Sequence, residues 1–200
     1  HFESLNSLPK GSVVGTSSLR RTVLLKNLRP DLKIEPLRGN LDTRLRKLDE
    51  GHYAGIVLAC AGLKRLGLKD RIRHAFSLDT MIPAAGQGAI GIEICANRPD
   101  LAQLLSGLNH LTTAVRVYAE RGVSRTMGGS CSMPLAAHAT LDMDKLSIHA
   151  AWGDPNLKTA ELIRADAQCH LDLTAHDALA QATELGQQVA QKLIARGAVP

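Results

Sequence analysis

Gly15-Thr16-Ser17-Ser18-Leu19-Arg20-Arg21 joins a small-residue turn to the first residues of an apolar-periodic stretch, Leu19 to Leu28, which Pro30 stops. A helix start leaves backbone N–H groups unpaired, and its dipole favours negative charge there. With three hydroxyls and two guanidinium groups, whose forks match carboxylates bidentately, the segment becomes an anion cradle. Standing alone, it also reads as an N-cap followed by solvated arginines. It is repeated, however: Leu37-Arg38-Gly39-Asn40 occupies the end of the next predicted strand, with Arg44 near the first turn of the following helix. Two adjacent strand ends that each present Arg toward one edge favour a polyanion site over two coincident solvated faces. Arg65, in Ala61-Gly62-Leu63-Lys64-Arg65, is a third and weaker case.

The second chemistry is that of thiols. Cys60, Cys95, Cys131 and Cys169 form no C-x-x-C pair, which argues against a disulfide framework or a structural zinc site. Cys60 and Cys95 each end an apolar run and read as small buried core residues. Cys169 beside His170 is weak as a metal pair, because two adjacent ligands lack others at helical or hairpin spacing. Cys131 lies in Gly128-Gly129-Ser130-Cys131-Ser132-Met133-Pro134, a polar loop with no pattern that would bury it. It is a candidate nucleophile or attachment point, or else an incidental loop cysteine.

The elements that must position these groups alternate. Strand Ser12 to Val14 leads through the first turn into helix Leu19 to Leu28; strand Ile34 to Leu37 leads through the second into helix Leu41 to Glu50, closed by Gly51. Strand Ile56 to Ala59 and a short helical segment, Gly62 to Leu66, follow. This order predicts an α/β domain with a mainly parallel sheet, whose ligands sit beyond the carboxyl ends of the strands. Met81 to Gly91, rich in Pro, Gly and Ala, reads as a hinge, with a strand from Ala89 to Ile94. Helix Leu111 to Met127, with Val115, Tyr118 and Ala119 along one face, delivers the chain to the Cys131 loop. Three β-like runs come next, Leu135 to Leu141, Lys145 to Trp152 and Thr159 to Ala165, with turn chemistry at Gly153-Asp154-Pro155-Asn156. Thr174 and Asp177 make a capping-box-like start to a last helix through Ala195, ended by Gly197. A smaller α+β domain with a three-stranded sheet is the expectation for this half.

Composition narrows the partners. Hydrophobic residues make up 44% and charged residues 22%, which excludes a disordered or collagen-like chain. No apolar run is long enough to cross a bilayer, and His1 to Lys10 lacks the pattern of a signal peptide, so a cytoplasmic protein is expected. The first residue is His rather than Met, which leaves room for an upstream segment. Residues 1–75 hold 15 Lys and Arg against 7 Asp and Glu, a surplus of +8, and the remainder holds 9 against 12. The basic half suits an anionic partner. Only five residues are Phe, Tyr or Trp, too few for the stacking platforms of single-strand binding, so small anions come ahead of nucleic acid.

Gly15 to Arg21, Leu37 to Asn40 with Asp42-Thr43-Arg44, Ala61 to Leu68, Pro83 to Gly88 and the Gly-Gly-Ser-Cys loop, in this order and spacing, resemble the porphobilinogen deaminases, also called hydroxymethylbilane synthases. The match runs through the entire chain. The resemblance implies a transferase of tetrapyrrole (heme) biosynthesis that joins four porphobilinogen units head to tail into hydroxymethylbilane and releases ammonia each time. It implies a dipyrromethane cofactor held by a thioether to Cys131. It implies that Thr16, Ser18, Arg20, Arg21, Arg38 and Arg44 bind the carboxylates of cofactor and substrate, with Gly39 letting the backbone approach and Ser17, Arg65 and Gln87 as weaker candidates. Loss of ammonia leaves an azafulvene that a pyrrole carbon attacks; during cofactor assembly the analogous attacker is the Cys131 thiolate. Arg121 and Arg125 favour that thiolate, and a helix carboxyl end opposes them.

The family has three domains, and the resemblance implies that roughly the first third lies outside this sequence, with the Asp that manages protons and cationic intermediates. No catalytic residue is therefore assigned here. Residues 1–82 correspond to the anion-binding second domain, which resembles periplasmic-binding-protein-like domains; 83–110 to a hinge and a returning segment of the first; 111–200 to the cofactor-bearing third. Porphobilinogen and polypyrrole intermediates are the expected partners, with no nucleic acid, membrane or metal. The family is usually monomeric, whereas this chain alone is expected to lack turnover and to self-associate, disorder locally or repack at 89–94, where sheet partners are absent. The alternative is a non-enzymatic small-anion-binding module of solute-binding-protein type.

Overall fold

The computed structural model describes residues 2–130, 132–157 and 161–200. They form two compact units, one of residues 2–82, 132–135, 151–157 and 161–163, the other of 83–130, 136–150 and 164–200. In the first, β1 (Val13–Gly15) lies between β2 (Lys33–Glu35) and β3 (Gly55–Ile56), all parallel, and Val14 pairs with Ile34 on one side and Gly55 on the other. Parallel neighbours need long crossovers, which α1 (Leu19–Leu28) and α2 (Leu41–Asp49) supply; α3 (Cys60–Arg65) follows β3. The core gathers Leu8, Val14, Leu25 and Leu32, with Phe2, Ile34 and Phe76 packed against it.

Helix α1 turns its basic side chains to backbone carbonyls. Lys26 Nζ donates to Pro155 O at 2.7 Å and Leu157 O at 3.0 Å. Arg29 donates to Leu5 O and Leu8 O and makes a bidentate pair with Asp31. Part of the basic surplus of the first half therefore holds chain segments together.

In the second unit, Val115, Ala119, Val123 and Met127 recur every fourth residue along α5 (Leu111–Thr126) and into its cap, and all are fully buried. Ala182, Leu185, Val189 and Leu193, spaced three or four residues apart, form the buried stripe of α6 (Ala178–Ala195). The two helices meet at Gly122 and Gly186: a Cβ on Gly122 would strike the Thr183 carbonyl oxygen, and one on Gly186 that of Ala119. Strands β4 (Leu135–Asp142), β5 (Lys145–Trp152) and β6 (Ile163–His170) form an antiparallel sheet in that order, with Leu146, Ile148 and Ala150 buried at alternate positions of β5. Helix α4 (Pro99–Leu105) precedes α5. The chain is thus mixed α/β, with one parallel and one antiparallel three-stranded sheet.

Several expectations are corrected. Residues 89–94 form no strand; Ile90 is 95% and Ile92 58% exposed, and no described strand runs alongside to complete a ladder. Cys95, at the end of that run, is exposed rather than buried, and Cys60 is half-buried at the start of α3. The second strand ends at Glu35 rather than Leu37, because Pro36 has no N–H and the Leu37 carbonyl accepts from Ser17 Oγ at 2.8 Å. The third strand is Gly55–Ile56 rather than 56–59. The last begins at Ile163 and runs to His170, next to which Leu171 N donates to Asp144 O; Thr159, where it was expected to begin, lies outside the described residues. Tyr118 stands off the buried stripe of α5 and is exposed. The capping box is not made: Asp177 Oδ1 accepts from Gln181 Nε2, and Thr174 bonds Asp172 instead.

Candidate carboxylate-binding site

The carboxyl ends of β1 and β2 place two turns together. Thr16 N donates to Glu35 O at 2.9 Å, and Ser17 Oγ reaches Leu37 O, so the first turn is fastened to the strand end that opens the second. Ser18 caps α1, accepting from Arg21 N; Asn40 caps α2, accepting from Thr43 N at 2.9 Å. Gly39 sits at φ +114, and a Cβ there would meet the Thr43 side chain at 2.8 Å, so a side chain would both strain the backbone and crowd the helix start. Arg44 Nε donates to Gly39 O at 2.8 Å, folding the guanidinium back over this turn. Arg38 and Ser17 are exposed beside it; Thr16 is buried.

The two arginines of α1 differ. Arg20 is buried, with Nη1 donating to Ile82 O at 2.5 Å. Burial first, and then the charge of Arg21, push its pKa down to about 10. Arg21 is half-buried, with Nη1 donating to Val57 O at 2.9 Å beyond β3. Its pKa is lowered by burial first and by the like charge of Arg44 second, with Cys60 acting in the opposite sense. Among the described residues, Arg21, Arg38 and Arg44 make no ion pair with a carboxylate. Arg21, whose pKa falls beside the like charge of Arg44, holds unfavourable energy that a bound anion would relieve.

Arg65 is exposed at the carboxyl end of α3, the far end from its strand. Gln87 belongs to the second unit, where its Oε1 accepts from Ala84 N at 3.3 Å. Cys131 lies outside the described residues. Sequence reasoning missed the fastening of this site: Tyr53 Oη donating to Pro36 O at 2.9 Å, and the carbonyls of Val57 and Ile82 that hold Arg21 and Arg20. No local spacing announces such bonds, since each spans 17 or more positions.

Two helix starts and the guanidinium groups beyond the parallel strands offer donors that could receive several carboxylates or a comparable polyanion. The chain belongs to the porphobilinogen deaminase family. Residues 1–103 match the family model "Porphobilinogen deaminase, dipyromethane cofactor binding domain", and residues 114–195 match "Porphobilinogen deaminase, C-terminal domain". A porphobilinogen deaminase of Albidiferax ferrireducens is 62% identical over 193 residues, 96% of this chain and 59% of that protein. Those of Paraburkholderia phymatum and Methylobacillus flagellatus are 52% and 51% identical over 99% and 98% of this chain, and 58% and 60% of theirs. The chain therefore spans about three fifths of the length of these curated relatives, as their 58% to 60% coverage states.

Proposed function

We propose that this chain supplies the carboxylate-binding and cofactor-bearing parts of an enzyme that polymerises porphobilinogen into hydroxymethylbilane. The observation that carries the reading is the cluster of Arg21, Arg38 and Arg44, set at two helix starts without carboxylate partners among the described residues. Porphobilinogen bears an acetate and a propionate, so a growing polypyrrole accumulates the charges that such a cluster needs. Thr16 and Ser18 order the first turn, Arg20 backs the cluster from inside, and Gly39 keeps the second turn open to a ligand's approach.

A dipyrromethane fits the same donors, since it carries the same carboxylates; when bound, it supplies the pyrrole carbon to which the first unit is joined. Cys131 is its attachment point: the Sγ–C bond forms as the amino group of a porphobilinogen unit leaves as ammonia. In this reading residues 1–82 form the anion-binding domain, with the parallel arrangement of solute-binding-protein domains, 83–110 the hinge and 111–200 the cofactor-bearing domain. The substrates are small pyrroles and the setting is the cytoplasm, without nucleic acid; no described helix is long and apolar enough to cross a membrane. No acidic residue of the site is assigned to proton transfer, and the chain alone is expected to lack turnover.

Intact-mass measurement, on the chain as purified from cells and after incubation with porphobilinogen, tests the proposal. Covalent dipyrromethane is expected on the wild type and absent from Cys131→Ser, whose hydroxyl is a poor nucleophile without a dedicated base. Anion uptake with no covalent mass, or mass retained by the Ser variant, would overturn it.

A further inference from the structure

Glu120 sits in the middle of α5 and is only 5% exposed, so its carboxylate needs partners. It has them on three sides. Oε2 accepts from Gly86 N at 2.6 Å, Oε1 accepts from Ala139 N at 2.9 Å, and His138 Nδ1 lies 3.3 Å from that same oxygen. None of these contacts belongs to the proposed carboxylate site. Their place along the chain gives them meaning: α5 runs into the loop that carries Cys131 and β4 leaves it, so Glu120 and Ala139 stand on the two stems of that loop.

The turn at 83–88 is the third party. Ala137 N donates to Pro83 O at 3.0 Å, and Gln87 N closes the turn on Ala84 O at 2.9 Å. β4 is an edge strand, and Ala137 and Ala139, two residues apart, point their N–H groups to the same side. The Pro83 carbonyl and the Glu120 carboxylate satisfy both, so an otherwise open sheet edge is covered by this turn and one side chain.

We infer that Glu120 is a positioning residue, which ties α5, β4 and the 83–88 turn into one rigid base on either side of Cys131 in the sequence. This rests on the reading of Cys131 as the attachment point. Among the described residues, Glu120 meets the backbone N–H groups of Gly86 and Ala139 and the ring of His138. A carboxylate suits the task because it offers two acceptor oxygens and no donor; an amide accepts at one position and turns N–H against N–H at the other.

The test uses Glu120→Gln and Glu120→Ala in the 200-residue chain. Amide exchange at Gly86 and Ala139 is read against that of α6, together with the rate of covalent mass gain from porphobilinogen at Cys131. Glu120→Gln is expected to speed exchange at one or both amides about tenfold, with α6 protection unchanged, and to slow mass gain at least about fivefold. Glu120→Ala should do more; if it fails to fold, the near-isosteric Gln variant decides. Unchanged exchange at Gly86 and Ala139, or protection lost evenly through α6, would overturn the inference. A wild-type chain that gains no mass at Cys131 refutes the attachment reading instead, and exchange alone then decides whether the base exists.

Discussion

Arg20 and Arg38 carry the same charge and do different work. Arg20 is buried against Ile82 O, whereas Arg38 is exposed at the second turn. A Lys at either place loses the planar fork, but only at position 20 does it also leave a buried carbonyl and a repacked cavity. Arg20→Lys is therefore expected to lower stability by about 2 kcal/mol as well as anion affinity. Arg38→Lys should lower affinity about tenfold with an unchanged Tm. Denaturant melts beside titrations with porphobilinogen separate the two; equal effects on stability would remove the distinction. Asp31 belongs to the same scale. The hydrogen bond from Arg29 holds its carboxyl below the ordinary value of 3.8. A depressed carboxyl adds stability above the ordinary carboxylate range, which is lost as pH falls through the folded value. Melts from roughly pH 5 to pH 2 should therefore show a shallower acid decline for Asp31→Asn than for the wild type.

At the scale of elements, α5 and α6 approach as closely as their glycines allow. A methyl group on Gly122 has backbone on the far side, Thr183 O and Gly186 Cα, so relief would require the helices to separate. Gly122→Ala gains helix propensity of about 1 kcal/mol, which overpacking of a rigid contact outweighs. A net loss of about 2 kcal/mol in chemical denaturation is expected, against a gain of up to about 1 kcal/mol for Gly62→Ala in α3, where a Cβ meets open space and only the propensity gain acts. Gain of stability in Gly122→Ala would show that the helices slide apart freely.

For the molecule as a whole, the segment at 89–94 is the open account of its hydrophobic surface. Ile90 and Ile92 stand in solvent, and covering an Ile side chain is worth about 2 kcal/mol. The chain is expected to self-associate in a concentration-dependent way, and the double change Ile90→Lys with Ile92→Lys should return it toward the monomer mass. Light scattering across a dilution series checks this. A wild-type chain monomeric at every concentration would assign those side chains no partner.

Helices α1, α2, α5 and α6 were legible because their signals are local: apolar residues at three- and four-residue spacing, a small-residue turn before α1, Gly51 and Gly197 as stops. The two Arg-bearing turns were legible for the same reason, since each is a short contiguous segment. What spacing left undecided is which partner a group finds across the fold. Arg20 meets Ile82 across 62 positions, Glu120 meets Gly86 across 34, and Lys26 meets Leu157 across 131. The apolar run at 89–94 marks the same boundary, because β-propensity becomes a strand only when a neighbouring strand accepts its hydrogen bonds. Periodicity sets what a segment prefers to be; tertiary packing sets which charges are buried, which carbonyls they meet and which preferences go unrealised.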